Sequence, residues 1–348
     1  MIKNLHYLID LLDLCSLKVT MRIDAQQHQT KNNHMPQPLN EFSFIESLRN
    51  CSASCKSLEI GIGDDAAAWR VAEDSLLVTT VDMLMEGVHF TVPPATPLQV
   101  GRKVMGVNLS DLAAMAARPQ IGVVSIATPR KYGSSFLQEL QAGMQQQAEK
   151  FSTTIIGGDT NIWEGPLVVS VTLMGTATKK GVVKRSDANK GDWIFCTGTL
   201  GGSILGKHLD VTPRVREALF LHEKYQLHAM IDISDGLIGD LFHILEESNK
   251  GATLFTDKIP IAEAAFLMKE SQLIKEKKSP LKHALSDGED FELLFTLSSQ
   301  QGEKLLAEQP LDIPVTHIGI VTEEQGCKLH HPNGTQTPLT KQGWEHSF

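Results

Sequence analysis

Aspartates in short, glycine-punctuated motifs recur along most of this chain. They stand in Gly61-Ile-Gly-Asp64-Asp65-Ala66, Val81-Asp82-Met83, Asn108-Leu-Ser-Asp111, Gly157-Gly158-Asp159-Thr160 and Asp232-Ile-Ser234-Asp235-Gly236. Carboxylates set this close to apolar runs are costly unless something positive neutralises them. The simplest partner is a cluster of hard divalent cations, Mg2+ above all, bridging a nucleotide's phosphates. That chemistry is phosphoryl transfer. Taken one at a time, each motif reads as readily as a turn or a helix start. Asp232 to Gly236, ahead of an apolar helical run, reads equally as an N-cap.

The elements around these residues must bring them together. Residues 58–63 and 76–81 are β-like runs that each end at an aspartate, which places a carboxylate just beyond a rigid strand. Residues 97–117 read as a helix, with Pro97 near its start and Pro119 just after its end. On that helix Lys103, Asn108 and Asp111 fall on one side, while Val104, Leu112 and Met115 are placed to face a core. Further strands are expected at 121–128, 154–156, 167–176, 193–197, 253–255, 291–297 and 315–321. Helices are expected at 42–50, 134–151, 215–225 and 236–248. Strands alternating with helices indicate an α/β (α+β) class in both halves. The charged run at 178–191 sets the expected division: an arm at 1–40, one domain at 41–178 and a second at 179–348.

Composition narrows the function. A net charge of −9, without any block of Lys and Arg, argues against a nucleic-acid groove. The apolar stretch 5–19 is interrupted by Asp10 and Asp13 and is too short to span a bilayer, and no small-residue cleavage site follows it. Residues 25–40 are polar and rich in Gln and Asn, which predicts disorder, and Met21 or Met35 is an alternative start. Cys15, Cys51, Cys55, Cys196 and Cys327 are scattered, as expected of reduced cytoplasmic thiols. Gly201-Gly-Ser-Ile-Leu-Gly206-Lys207-His208 misses the P-loop pattern by one residue. That residue is the informative one: His208 stands where a hydroxyl should hold Mg2+. A glycine-rich turn that lets backbone pack closely is the better reading.

With these residues in view, the chain closely resembles the thiamine-monophosphate kinases, a branch of the aminoimidazole ribonucleotide synthetase-like superfamily of ATP-using enzymes. The matching stretches run in the family's order: 61–67, 81–90, 107–119, 155–160, 184–201, 231–241 and 286–296, within an overall likeness over about residues 42–346. The resemblance implies a two-domain fold whose N-terminal part builds a homodimer. It also implies ATP-dependent conversion of thiamine phosphate to thiamine diphosphate with several Mg2+ ions. By motif matching, Asp65, Thr80, Val81, Asp82, Asp111, Asp159, Asp232 and Asp235 fall on metal positions. Gly158, Asp159, Arg185 and Ser234 fall on ATP positions, and His89, Glu289 and Trp344 on substrate positions.

The residues carry alternatives. His89 also reads as a loop histidine, Trp344 as a terminal core anchor and Arg185 as a surface charge. No Ser-His-Asp or Cys-His arrangement is recognisable, which suits an acceptor that is itself an ionised phosphate monoester. Three departures from the family pattern stand out. Val81 replaces the usual Thr, so a metal contact there would use the backbone carbonyl. Asp287 replaces a Gly and adds negative charge near the substrate. Residues 161–165 differ from the usual short sequence. The competing readings are another ATP-using enzyme of the superfamily and a non-catalytic nucleotide-binding relative.

Overall fold

The computed structural model describes residues 58–60, 64–72, 75–270 and 278–341. The expected helix at 42–50 and the arm at 1–40 lie outside these residues. Two sheets carry the fold. The first contains β1 (Leu58–Ile60), β2 (Ala67–Ala72), β3 (Ser75–Met85), β4 (Arg118–Pro129), β5 (Thr154–Trp163) and β6 (Val168–Thr176), in the order β1-β2-β3-β6-β4-β5. Neighbours are antiparallel except β4 and β5, whose parallel pairing requires a crossover. Two helices accompany this sheet, α1 (Pro97–Ala114) and α2 (Gly133–Lys150), and α2 supplies the crossover.

The second sheet contains β7 (Trp193–Thr197), β8 (Leu227–Asp232), β9 (Gly251–Phe255), β10 (Leu293–Leu297), β11 (Val315–Thr322), β12 (Gly326–His330) and β13 (Gln336–Leu339), in the order β13-β12-β9-β11-β7-β10-β8. With it run α3 (Val215–Lys224), α4 (Leu237–Ser248), α5 (Glu263–Glu270), α6 (Pro280–Ser286) and α7 (Ser299–Glu308). The mixed α/β class is therefore as the alternation of patterns predicts. The charged run lies in the connection between β6 and β7.

Alternation and capping explain the local choices. In β6, Val169, Val171 and Leu173 are fully buried while their neighbours are partly exposed, the period of a strand with one covered face. Helix α1 starts at a capping box: the Thr96 hydroxyl accepts the Gln99 N–H, the Gln99 side chain accepts the Thr96 N–H, and Pro97 opens the first turn. Its burial departs from the expected single core face, because nearly every residue from Val100 to Ala114 is buried. The helix packs on α2, β3 and β6 and reaches α3 and β8, so it is enclosed by both halves of the chain. One apolar core runs from beneath α1 to Phe195, Phe295 and Leu305. A second, around Ile231, Ile244 and Leu254, fills the other face of the second sheet.

Two strand ends differ from the sequence reading. β3 continues to Met85 and β5 to Trp163, so Asp82 and Asp159 lie within strands, opposite Val171 and Ser125, rather than beyond strand ends. Pairing along the whole of β6 and β4 carries both strands through their aspartates. β8, which ends at Asp232, is an addition to the expected elements, as are β2, β12 and β13.

Candidate active site

Asp65, two residues before β2, Asp111 on α1 and Asp232 at the end of β8 each offer a carboxylate oxygen, and the three oxygens lie within 4.8 Å of one another. Neighbouring groups fix them. The Thr80 hydroxyl donates to Asp111 Oδ2. Ser110 Oγ donates to Asp232 Oδ2 at 2.6 Å. Arg185 Nε donates to Asp65 Oδ2 at 2.8 Å, and its backbone N–H reaches Asp64 Oδ2 at 3.3 Å. Asn108 accepts the Asp82 N–H at 3.1 Å and donates to Val104 O at 3.0 Å. Asn108, Ser110 and Asp111 of α1 thus face β3 and the end of β8.

Crowded carboxylates resist ionisation. Burial, together with the Asp65 charge, pushes Asp232 up to about 8. Burial raises Asp82 to about 6, and it raises Asp64 to about 7 with a further contribution from Asp65. Asp111 lies well above the usual carboxylate range, chiefly through burial and then through repulsion from Asp82 and Asp232. Burial disfavours the Arg185 cation, but Asp65 more than offsets that and holds it charged. Several hard oxygen donors converge here on one small volume with a deficit of positive charge. This donor set fits a hard divalent cation.

The turn after β8 is shaped from within. Asp240, buried in the first turn of α4, accepts the N–H groups of both Asp235 and Gly236 at 3.1 Å. Neither Ser234 nor Asp235 caps α4, whose N-cap is Gly236 with no side-chain bond, so the capping alternative fails. Backbone meets backbone on the other side of this turn. A Cβ on Gly288 would stand 2.6 Å from Ser234 O, which only a glycine permits. Residues 286–291 are thereby pressed against the turn that carries Ser234 and Asp235.

A cleft of about 800 Å3 opens from the carboxylates. Asp82, Asp111, Asp232, Ser234 and Asp235 line it, as do His89 and Glu289, with Phe90, Met268 and Phe291 as apolar wall. His89 Nδ1 accepts the Met85 N–H at 3.0 Å. Glu289 adopts φ of +64°, its N–H donates to Ser234 O at 2.6 Å, and its carboxylate accepts from Lys103. Asp287 also borders the cleft, and its charge is already matched. It accepts from His283 Nδ1 at 2.7 Å, from the Gly202 N–H at 3.2 Å and from Lys278 at 3.3 Å.

Not every expected site residue joins this group. The Val81 side chain is 61% exposed, on the opposite face of β3 from buried Thr80. Gly158 and Asp159 stand exposed on the edge strand β5, separated from β3 by β6 and β4, and Asp159 accepts from Asn161 at 2.6 Å. Trp344 lies outside the described residues. Ser110, Asp240 and Asp64 belong to the site but were not assigned to it from sequence. All three sit inside the quoted motifs, so acid or hydroxyl spacing within those motifs was the available signal. The near-P-loop is occupied by the protein's own acids: Gly201 N–H and Ser203 Oγ donate to Asp290, and Lys207 donates to Glu292 at 2.9 Å. Gly201, at φ of +91°, brings this loop against the backbone of Ala284.

Residues 63–177 match the N-terminal domain family of AIR synthase related proteins, and residues 171–332 match the corresponding C-terminal domain family. The chain is 37% identical to the thiamine-monophosphate kinase of Rhodopirellula baltica, over 82% of this chain and 90% of that one. It is 32% identical to that of Bacillus subtilis, over 88% and 98%. Among solved structures it is similar to AaThiL complexed with AMPPCP and TMP. There the TM-score is 0.75 and the identity 28%, over 88% of this chain and 97% of that one. Hydrogenase maturation protein HypE from Escherichia coli, at 18% identity and a TM-score of 0.65, shares the fold, covering 86% of this chain and 97% of that one.

Proposed function

Because this chain belongs to the thiamine-monophosphate kinase family and carries both AIR synthase related domains, we propose that it transfers the γ-phosphoryl group of ATP directly to thiamine phosphate, giving thiamine diphosphate and ADP. The observation that carries this reading is the convergence of Asp65, Asp111 and Asp232, the last two lining a cleft whose wall also holds His89 and Glu289. Asp65, Asp82, Asp111 and Asp232 would hold Mg2+, with Asp235 nearby on the cleft wall. Bound there, the metal would neutralise charge on two facing polyanions.

The chain's own groups do the rest by positioning. Ser110, Thr80 and Asn108 orient the carboxylates and the β3 backbone, so the site is built before substrate arrives. Arg185, held against Asp65, contributes a fixed cation beside the nucleotide end. The acceptor needs no general base: a phosphate monoester has its second pKa at about 6 and is largely ionised near neutral pH. Holding donor and acceptor in line is then the principal demand. Ser234 toward ATP, and His89, Glu289 and Trp344 toward the acceptor, complete the proposal; Gly158 and Asp159, exposed on the edge strand β5, stand apart from this cleft. A homodimer is part of it, supported by the exposed apolar side chains Val81 and Met83 on β3 and Ile156 and Ile162 on β5. A cytoplasmic site of action is supported by the free buried thiols Cys196 and Cys327.

The test is direct. Purified protein with ATP, Mg2+ and thiamine phosphate should form thiamine diphosphate, whereas free thiamine should remain unphosphorylated. Turnover of thiamine in place of its phosphate would overturn the assignment of the acceptor.

A further inference from the structure

Lys103 has no exposed surface, although both its partners, His89 and Glu289, line the cleft. Its ammonium donates to His89 O at 2.8 Å and to Glu289 Oε1 at 2.5 Å. A buried ammonium is costly unless it is paired and hydrogen-bonded, and here it is both. Burial lowers the Lys103 pKa, and the Glu289 carboxylate partly offsets that. Glu289 is itself held in an unfavourable place, at a positive φ that a residue with a Cβ adopts only when its surroundings fix it. Its side chain is partly exposed to the cleft, and its Oε1 is taken by Lys103. A donor on a bound ligand would therefore meet Oε2. The His89 carbonyl, on the β3 side of the cleft, pins the ammonium that pins the glutamate.

We propose that Lys103 is a positioning residue for the acceptor: it holds the Glu289 carboxylate in the one orientation that receives thiamine phosphate, without touching either substrate itself. The proposal rests on the functional reading above and adds to it a residue from the opposite half of the chain. A glutamate free to rotate loses side-chain entropy when a ligand immobilises it, and Lys103 removes that cost in advance.

Steady-state kinetics with both substrates, alongside thermal unfolding, tests this. Lys103→Met should raise KM for thiamine phosphate about tenfold and leave KM for ATP within about twofold, since the contact lies at the acceptor end only. Lys103→Arg, which restores a cation with donors, should recover most of the loss. Introduced into Glu289→Ala, which has no side-chain acceptor, Lys103→Met should add less than about twofold, because both changes break one contact. That pair leaves no buried charge unpartnered, and it decides the matter if the single variant fails to fold. A wild-type KM for thiamine phosphate in Lys103→Met overturns the proposal. So does an equal rise in both KM values, or a further tenfold loss on the Glu289→Ala background. A wild-type protein that leaves thiamine phosphate unchanged overturns the functional reading itself, and this inference with it.

Discussion

Ser110 on α1 donates a 2.6 Å hydrogen bond to Asp232 at the end of β8, joining residues 122 positions apart and both halves of the chain. The next residue of α1, Asp111, offers its carboxylate to the same small volume. One turn of a buried helix therefore both orients an acid from the second sheet and contributes its own.

Asp111→Asn removes one carboxylate from a repulsive group while keeping its volume. We expect kcat to fall at least about a hundredfold, in line with the loss of a preorganised charge. Without metal, the melting temperature should be unchanged or higher. Full activity in this variant would take Asp111 out of the metal-binding set.

The raised carboxyls give stability a definite dependence on pH. Asp82, Asp64 and Asp232, at about 6, 7 and 8, bind protons more tightly folded than unfolded, where an aspartate sits near about 4. Between those values the folded state carries more protons, so stability is highest at the acid end of the window and falls as pH rises. Metal-free protein followed by thermal unfolding should lose melting temperature between about pH 5 and pH 8. Excess Mg2+ should flatten that slope by stabilising the ionised cluster. A metal-free melting temperature that stays level or rises across this window would contradict the assigned repulsion.

Lys207 ends the near-P-loop, but its ammonium serves Glu292, which Arg214 also holds through two 2.7 Å bonds. Lys207→Met should therefore leave KM for ATP within about twofold. Stability should fall by about 1 kcal/mol, since the ammonium is partly exposed, its other partners are Thr199 O and Asp290, and Glu292 stays held by Arg214. A tenfold rise in KM for ATP would restore the phosphate-binding reading of this loop.

Asp287 adds a charge at the cleft, yet His283, Gly202 and Lys278 all donate to it. Asp287→Gly should not improve KM for thiamine phosphate. It should instead destabilise the protein by roughly 1–3 kcal/mol, because the buried His283 loses its carboxylate partner. A lower KM with unchanged melting temperature would show that repulsion prevails after all.

Local pattern determined a great deal of this protein from the sequence alone. The helix bounded by Pro97 and Pro119, the strand at β6 and the glycine-rich turns depend on near neighbours, and so do the motifs that mark Asp65, Asp111 and Asp232 as functional. The misfit at His208 was equally legible, since a hydroxyl was missing. Strand ends and burial were not. Asp82 and Asp159 stand beside turn-like residues, but pairing with β6 and β4 carries β3 and β5 past them, and pairing is a property of two segments. The sequence of α1 shows a polar side with no hint that Lys103 and Ser110 would have no contact with water. Only the closure of both halves around that helix removed solvent from them, fixed Glu289 against Lys103 and brought acids from distant segments within 4.8 Å. Distant charges converge when the burial of apolar surface on either side of them outweighs their repulsion, and that balance exists only in the folded chain.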